Sequence, residues 1–347
     1  MTDNGFASVP AVKQYLKMAE DCGVDYQPYL KQCDIDPNAL VNNTGRIPGS
    51  ALEQLLNLLI TASGDPLFGL HCARFVQQNS YNVLGYISMN CGNLDEVLTQ
   101  MPLYEKIVGE IGTSKRVISG GDTCLSFNCH FSDPLVRQHA TENVLASWDQ
   151  FSKNYLHLAG KPLRIHFEHA APQQEELLEV YRATFGCEVL FNQEFSGTWI
   201  SREDVYRPIE QANDQLLKTL LEHASQELRQ IDLGCSMRDR VKNMLRLMIS
   251  EKLPSRERLA EEMGMSSRTL QRKLNDEDAH YQQILDELRL ELATHYLARE
   301  DLGLDDIAFK LGYQETRSFY RGFKHWTGKT VGEFRKELLT TTETQGR

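Results

Sequence analysis

The sequence predicts an α+β domain over residues 1–230 and an all-α domain over 231–347, the second built from two helix-turn-helix units joined by a linker helix. Three observations carry this. Helical periodicity dominates the first hundred residues and gives way near Lys115 to strand-like alternation mixed with helices. Beyond Met237 only helical patterns remain. Among these, two pairs of short helices, each broken by a Gly-containing turn, flank one continuous helical run.

Taken in order, Val9 to about Asn43 reads as helices broken at Gly23 and around Pro28 and Pro37, with Tyr15, Leu16, Met18, Ala19, Tyr29 and Leu30 as buried stripes. After Arg46-Ile47-Pro48 comes an apolar helix from Ala51 to Ala62, and Asp65-Pro66 opens another. Leu84 to Met89 and Leu94 to Val108 add two more, split by Gly92. Arg116–Ser119 and Thr123–Phe127 flank Gly120-Gly121-Asp122 and form a hairpin pattern, because paired glycines permit positive φ. Arg137 to Leu158 returns to helix. Pro162–His169 and Glu188–Phe191 alternate as strands around a helix from Gln174 to Phe185. Asp204 to about Cys235 reads as one charged helix ended by Gly234. Its apolar stripe, Leu216, Leu217, Leu220, Leu221, Ala224 and Leu228, suits either core packing or a dimer contact.

The C-terminal part carries the chemistry. Val241 to Ile249 is helical, and Ser255 caps a helix from Arg256 to Met263. Gly264-Met265-Ser266 turns the chain into a helix running to about Asn275, closing a unit over about 256–277. Leu270 and Leu274 face inward there, which leaves Arg268, Gln271, Arg272 and Asn275 for a partner, with Ser267 at the helix start as a further candidate DNA contact. In the second unit, over about 304–327, Asp305 and Asp306 can cap a helix carrying Ile307, Ala308 and Leu311, and Gly312 breaks it. The following helix, from about Glu315, buries Phe319, Phe323 and Trp326, so Arg317, Tyr320, Arg321 and Lys324 project outward, and Thr316 at its start joins them as a candidate DNA contact. The second helix of such a unit fits a DNA major groove, where Arg and Lys suit guanine edges and Gln and Asn suit adenine. Between the units, Tyr281 to Arg299 is a 19-residue helical run with Ile284, Leu285, Leu288, Leu292 and Leu297 inside. It spans about 28 Å. Successive major grooves on one DNA face lie about 34 Å apart, so two heads on this rod reach adjacent grooves.

The run DIAFKLGYQETRSFYRGFKHWTGKTVGEFR resembles the C-terminal signature of AraC/XylS-type transcriptional regulators. Asp306, Ile307, Ala308, Leu311, Gly312, Tyr313, Ser318, Phe319, Arg321, Phe323, Lys324, Gly328, Phe334 and Arg335 occupy its places. The usual Ser-Pro is replaced by Thr330-Val331, which leaves the start of the last helix without a pre-set φ and its turn less rigid. A looser similarity to the arabinose-binding-like domain of a subgroup of these regulators rests on Arg46-Ile47-Pro48, Asp65-Pro66-x-Phe68-Gly69-Leu70, His166-Phe167-x-His169 and Phe185-Gly186-Cys187-x-Val189-x-Phe191. The resemblance implies a ligand-responsive activator. Residues 1–230 would bind a small-molecule effector and form a homodimer, 231–347 would bind double-stranded DNA, and RNA polymerase would be a further partner. It implies no cofactor and does not name the effector.

Composition fits this picture. The chain is 347 residues long with 41% hydrophobic and 24% charged residues, ordinary for a soluble protein of two or three domains. No apolar run approaches the roughly 18 residues of a membrane span and no signal peptide opens the chain, so a cytoplasmic protein without membrane contact is expected. The eight cysteines lack a C-x-x-C pair, which points to reduced, mostly buried thiols. His166-x-x-His169 reads as a sheet-edge pair rather than metal ligands. The net charge is −11, yet residues 250–337 hold 15 Lys plus Arg against 17 Asp plus Glu, so the head region is nearly neutral, with cations gathered locally. Two other readings stay open: a constitutive DNA-binding regulator whose N-terminal domain only dimerises, and an enzyme, for which no nucleophile–base or metal motif is present.

Overall fold

The computed structural model describes residues 5–41, 43, 45–119, 121–158, 160–231, 236–249, 255–297, 302–313 and 315–336. The chain divides into two compact units, 1–116 with 122–224, and 117–121 with 225–347.

The first unit opens on a strand that the helical periodicity hides. β1 (Phe6–Ser8) pairs antiparallel with β2 (Arg46–Pro48), and between them run α1 (Val9–Asp21), α2 (Gln27–Gln32) and a 3-10 turn at Pro37–Leu40. Pro10 sits in the first turn of α1, where its missing N–H costs nothing. α3 (Gly49–Ser63), α4 (Phe68–Cys72), α5 (Asn82–Asn90) and α6 (Leu94–Val108) follow. Val12, Met18, Leu52, Leu55, Phe68 and Cys72 belong to the core that α1, α3 and α4 share.

A five-stranded sheet comes next, in the order β3-β4-β7-β5-β6. β3 (Gly112–Ser119) and β4 (Asp122–Cys129) are the expected hairpin, with Gly121 at φ 89. α7 (Pro134–Tyr155) is capped by Asp133, whose carboxylate accepts from the Leu135 and Val136 N–H groups. β5 (Arg164–His166), α8 (Glu175–Phe185) and β6 (Glu188–Leu190) form a parallel crossover unit. β7 (Ser196–Ile200), absent from the sequence reading, pairs antiparallel with both β4 and β5 and ties the hairpin to the crossover. α7 lies against this sheet, with Trp148 edge-on to Phe127 at 6.0 Å. A cavity of about 190 Å³ opens between α7, the sheet, α5 and α6.

Two expectations are corrected here. The stretch from Asp204 is not one helix: α9 (Arg202–Val205) stops, and α10 (Asp214–Ile231) begins afresh after a non-helical segment. On α10, Leu217, Ala224 and Leu228 are buried whereas Leu216 is 46% exposed, so the stripe is narrower than its sequence suggests. Gly234, expected to end this helix, lies outside the described residues. His166 is also not at a sheet edge, because β5 runs between β7 and β6. Its ring packs near Trp199, and burial, with Arg164 beside it, pushes its pKa down to about 4. His169 leaves the strand and reaches Glu142 at 3.4 Å. Among the described residues seven cysteines are free, and burial pushes the thiols of Cys91 and Cys124 up to about 12.

The second unit is helical apart from the hairpin tip. α11 (Met237–Met248) is capped by Ser236, which accepts from the Asp239 N–H. α12 (Arg256–Glu262), α13 (Ser267–Asn275), α14 (Tyr281–Leu297), α15 (Leu304–Lys310) and α16 (Thr316–Thr327) complete it. α14 belongs to two cores. Ile284, Leu285 and Leu288 pack with α11, α12 and α13, whereas Ala293 and Leu297 pack with α15 and α16. Among the described residues no helix is long and apolar enough to cross a membrane.

Candidate nucleic-acid interface

Each head is built from a short support helix, a glycine turn and a longer helix. In the first, Ser255 caps α12 and Ser266 caps α13 by accepting from the Thr269 N–H. Gly264 joins them at φ 68, a conformation that glycine adopts without strain. Leu270 and Leu274 are fully buried, which fixes the rotation of α13 and turns the opposite face to solvent.

That face has two parts. Arg268 and Arg272 are exposed, and their side chains form no hydrogen bond or ion pair among the described residues. Ser267, Gln271 and Asn275 form a connected row instead. Arg256 of α12 donates to Ser267 Oγ at 3.0 Å and to Gln271 Oε1 at 3.0 Å, and Gln271 Nε2 donates to Asn275 Oδ1 at 2.8 Å. Gln271 is thereby half-buried rather than free, and Arg256 adds a cation that sequence reasoning missed. Nothing in the periodicity of α12 announces it, since its partners sit 11 and 15 residues away.

The second head repeats the plan with different fastenings. Gly303, not Asp305 or Asp306, is the N-cap of α15, and it offers no side-chain cap. The two aspartates lie in the first turn, where their charge favours the helix dipole. Asp305 also accepts a hydrogen bond from the Thr316 hydroxyl, which clasps the start of α16 to α15. Gly312 makes the turn at φ 76. Phe319 and Phe323 are fully buried and Trp326 half-buried, so Arg317, Tyr320, Arg321 and Lys324 are exposed as expected. Arg321 Nη2 leans on Ser318 Oγ at 3.4 Å, whereas the Arg317 and Lys324 side chains make no hydrogen bond or ion pair among the described residues.

Two features hold this head in place. Arg289 of α14 is only 6% exposed, donates to the Leu311 carbonyl at 3.3 Å and lies over the Tyr313 ring at 4.2 Å. Beyond α16, Gly328 ends the helix at φ 73, and residues 331–336 form the next helical segment. The Thr330-Val331 start does not leave this turn loose. Thr330 N donates to Glu333 Oε2 at 2.8 Å and Glu333 N donates to Thr330 Oγ1 at 3.3 Å, a reciprocal capping box. Those bonds hold the Glu333 carboxyl below its ordinary value.

The two outward faces therefore carry arginine forks, one lysine and amide groups, on helices of 9 and 12 residues whose inner faces are fixed by packing. α14 is 17 residues, about 25 Å, between the two cores. Residues 23–209, more than half of the chain, match the family described as the arabinose-binding domain of AraC transcription regulator, N-terminal, and 259–337 match a helix-turn-helix domain family. The chain belongs to the AraC-type transcriptional regulators. It is 26% identical over 326 residues to the ornithine utilization regulator of Pseudomonas aeruginosa, covering 92% of this chain and 94% of that protein. The HTH-type transcriptional regulator VqsM of the same species is 26% identical over 327 residues, covering 90% and 95%. A solved structure, the transcriptional regulator CdpR from Pseudomonas aeruginosa, aligns with a TM-score of 0.46 at 20% identity, covering 90% of this chain and 96% of that one. Within this AraC-type chain, DNA binding falls to the helix-turn-helix region.

Proposed function

We propose that this regulator is a cytoplasmic, ligand-responsive activator that grips double-stranded DNA in two adjacent major grooves. In this reading residues 1–230 bind a small-molecule effector and hold a homodimer, and residues 231–347 read the operator and bring the activator to RNA polymerase. Ser267, Arg268, Gln271, Arg272 and Asn275 contact one groove, and Thr316, Arg317, Tyr320, Arg321 and Lys324 the next. One observation carries it: a single helix seats one head on each of its halves, and each head presents exposed arginines that form no ion pair among the described residues. Arg256 holds Gln271 and Asn275 in a shared row, so amide donors and acceptors stand beside the forks. Support for ligand response comes from the N-terminal family and from the cavity of that unit.

The test is selection of bound sequences from random duplex DNA with the full chain at several salt concentrations. The expected product is a bipartite site with two short elements about one helical turn apart, whose affinity falls steeply with salt. A site with one short element would remove the two-groove reading. Failure to enrich any site at low salt would remove DNA reading by these faces. Occupancy of the selected site should shift with the effector, because a ligand moves an equilibrium only by its differential affinity for the two states. Occupancy indifferent to every metabolite would leave a constitutive regulator whose N-terminal domain only dimerises.

A further inference from the structure

We propose that the cavity of the N-terminal unit is the effector site and that it takes a small, uncharged, mostly apolar molecule with one hydrogen-bonding group. This rests on the reading that the regulator answers to a ligand, and names the chemistry of that ligand. Leu84, Val97, Leu98 and Met101 from α5 and α6 face Leu125 and Phe127 of the sheet across the cavity. At about 190 Å³ it exceeds the volume of about 150 Å³ that suffices for a benzene ring.

The polar atoms of the wall decide the class. Gln14 Nε2 donates to Ser147 Oγ at 3.3 Å, and Ser147 Oγ to Asn143 Oδ1 at 3.0 Å, so these groups satisfy one another. Thr198 is different. It is 6% exposed at the middle of β7, opposite Leu125 on one side and Ile165 on the other, and its hydroxyl has no hydrogen-bond partner. The Tyr81 hydroxyl, also on the cavity wall, is buried beside Ser147, whose own hydroxyl is already bound to Gln14 and Asn143. A valine would fill the Thr198 position equally well, and a buried hydroxyl left unpaired is unfavourable. Both hydroxyls can donate or accept, which suits a neutral hydroxyl, carbonyl or amide on a ligand.

The charged groups of the wall other than Lys161 are already engaged. Lys153 binds Asp149 at 2.5 Å, Glu105 accepts the Ser114 N–H at 3.0 Å, and Arg207 meets Asp204 at 2.9 Å. Lys161 is exposed to solvent. An ion entering the apolar interior would lose its water, and the charge left unpaired among the described residues of the wall, Lys161, stands at its solvent-exposed edge.

The experiment is isothermal titration of the full chain with p-cresol and octan-1-ol as neutral probes and with octanoate and L-lysine as charged ones. Neutral probes should bind saturably, and each more tightly than its charged counterpart. Thr198→Val should weaken p-cresol by about three- to tenfold without lowering the melting temperature. Val97→Phe, which fills the cavity, should abolish binding. The assignment is overturned if neither neutral probe saturates, if both variants bind like the parent, or if octanoate or L-lysine binds more tightly in a Val97→Phe-sensitive manner. Operator occupancy measured alongside separates the two readings. Neutral probes that bind in the cavity yet leave occupancy unchanged uphold the site and sink ligand response. A charged metabolite that shifts occupancy while neutral probes fail does the reverse.

Discussion

Replacing Arg289 by Met should loosen the second head while leaving the first intact. The guanidinium is nearly buried between the two cores carried by α14, and it holds the turn after α15 through the Leu311 carbonyl and the Tyr313 ring. A hydrogen bond from a charged donor is worth about 1.5–3 kcal/mol. A desolvated cation–π contact adds about 2 kcal/mol. Against these stands the cost of keeping a guanidinium out of water, which Met removes while filling the volume of the stem. The net loss should be about 2 kcal/mol, or roughly thirtyfold in a local opening equilibrium. Native-state hydrogen exchange on the full chain reads this directly, because local opening is resolved segment by segment. The amides of α15 and α16 should exchange roughly thirtyfold faster, with those of α13 unchanged. Arg289→Lys keeps the charge but loses the planar stack, and should fall between. Equal acceleration in both heads, or none in either, would refute the idea that Arg289 fastens one head to the rod.

Other expectations concern separate parts of the molecule. Arg268→Ala and Arg321→Ala should each cost about 1–3 kcal/mol at a cognate site with the melting temperature unchanged, measured by fluorescence anisotropy; parental affinity would exclude that side chain from base reading. Thr330→Ala removes both hydroxyl contacts of the capping box and should lower stability by about 1 kcal/mol in urea titration, whereas no change would mean that the helical segment 331–336 is held elsewhere. Glu142 is fully buried, accepting from Tyr181 at 2.5 Å and from Gln138 at 2.9 Å. Burial pushes its carboxyl up, but the hydrogen bonds and the charge of His139 and His169 outweigh this and hold it below its ordinary 4.5. A depressed folded value means stability that is present above about pH 4.5 and lost as pH falls through the folded value. Glu142→Gln should accordingly flatten the loss of stability as pH falls below about 4.5, and an unchanged acid limb would remove Glu142 as its source.

The heads were legible in the sequence because their signals are local. Leu270 with Leu274, and Phe319 with Phe323, set the rotation of each helix within a single turn, and Gly264 and Gly312 mark the breaks. What escaped depends on partners distant in the chain. β7 reads as Ser-Gly-Thr-Trp-Ile, and Gly197 suggests a break until the neighbouring strand is seen: a Cβ there would stand 2.7 Å from Cys124 Sγ. β1 is three residues long and is held by partners distant in the chain, Arg46–Pro48 on one side and a bridge from Ala7 to Gly109 on the other. The aspartates of the second head look like caps, yet the helix starts one residue before them, so Asp305 is free to bind Thr316 across the turn. Arg289 sits on an apolar face where sequence periodicity expects a hydrocarbon, and only the Leu311 carbonyl and Tyr313 ring explain its place. The cavity is least visible of all, since its wall is drawn from α1 through α9.

The sharing of α14 between two cores has a geometric consequence for how operators can change. A continuous helix is both a ruler and a protractor: one inserted residue lengthens it by about 1.5 Å and turns everything beyond it by about 100°. DNA advances about 3.4 Å and turns about 34–36° for each base pair added between two sites. The two increments do not match at any small number of steps. If the two heads read one operator as proposed, a lineage cannot lengthen this rod residue by residue to follow a lengthening operator, and the spacing between the two elements should stay fixed while their base sequences drift.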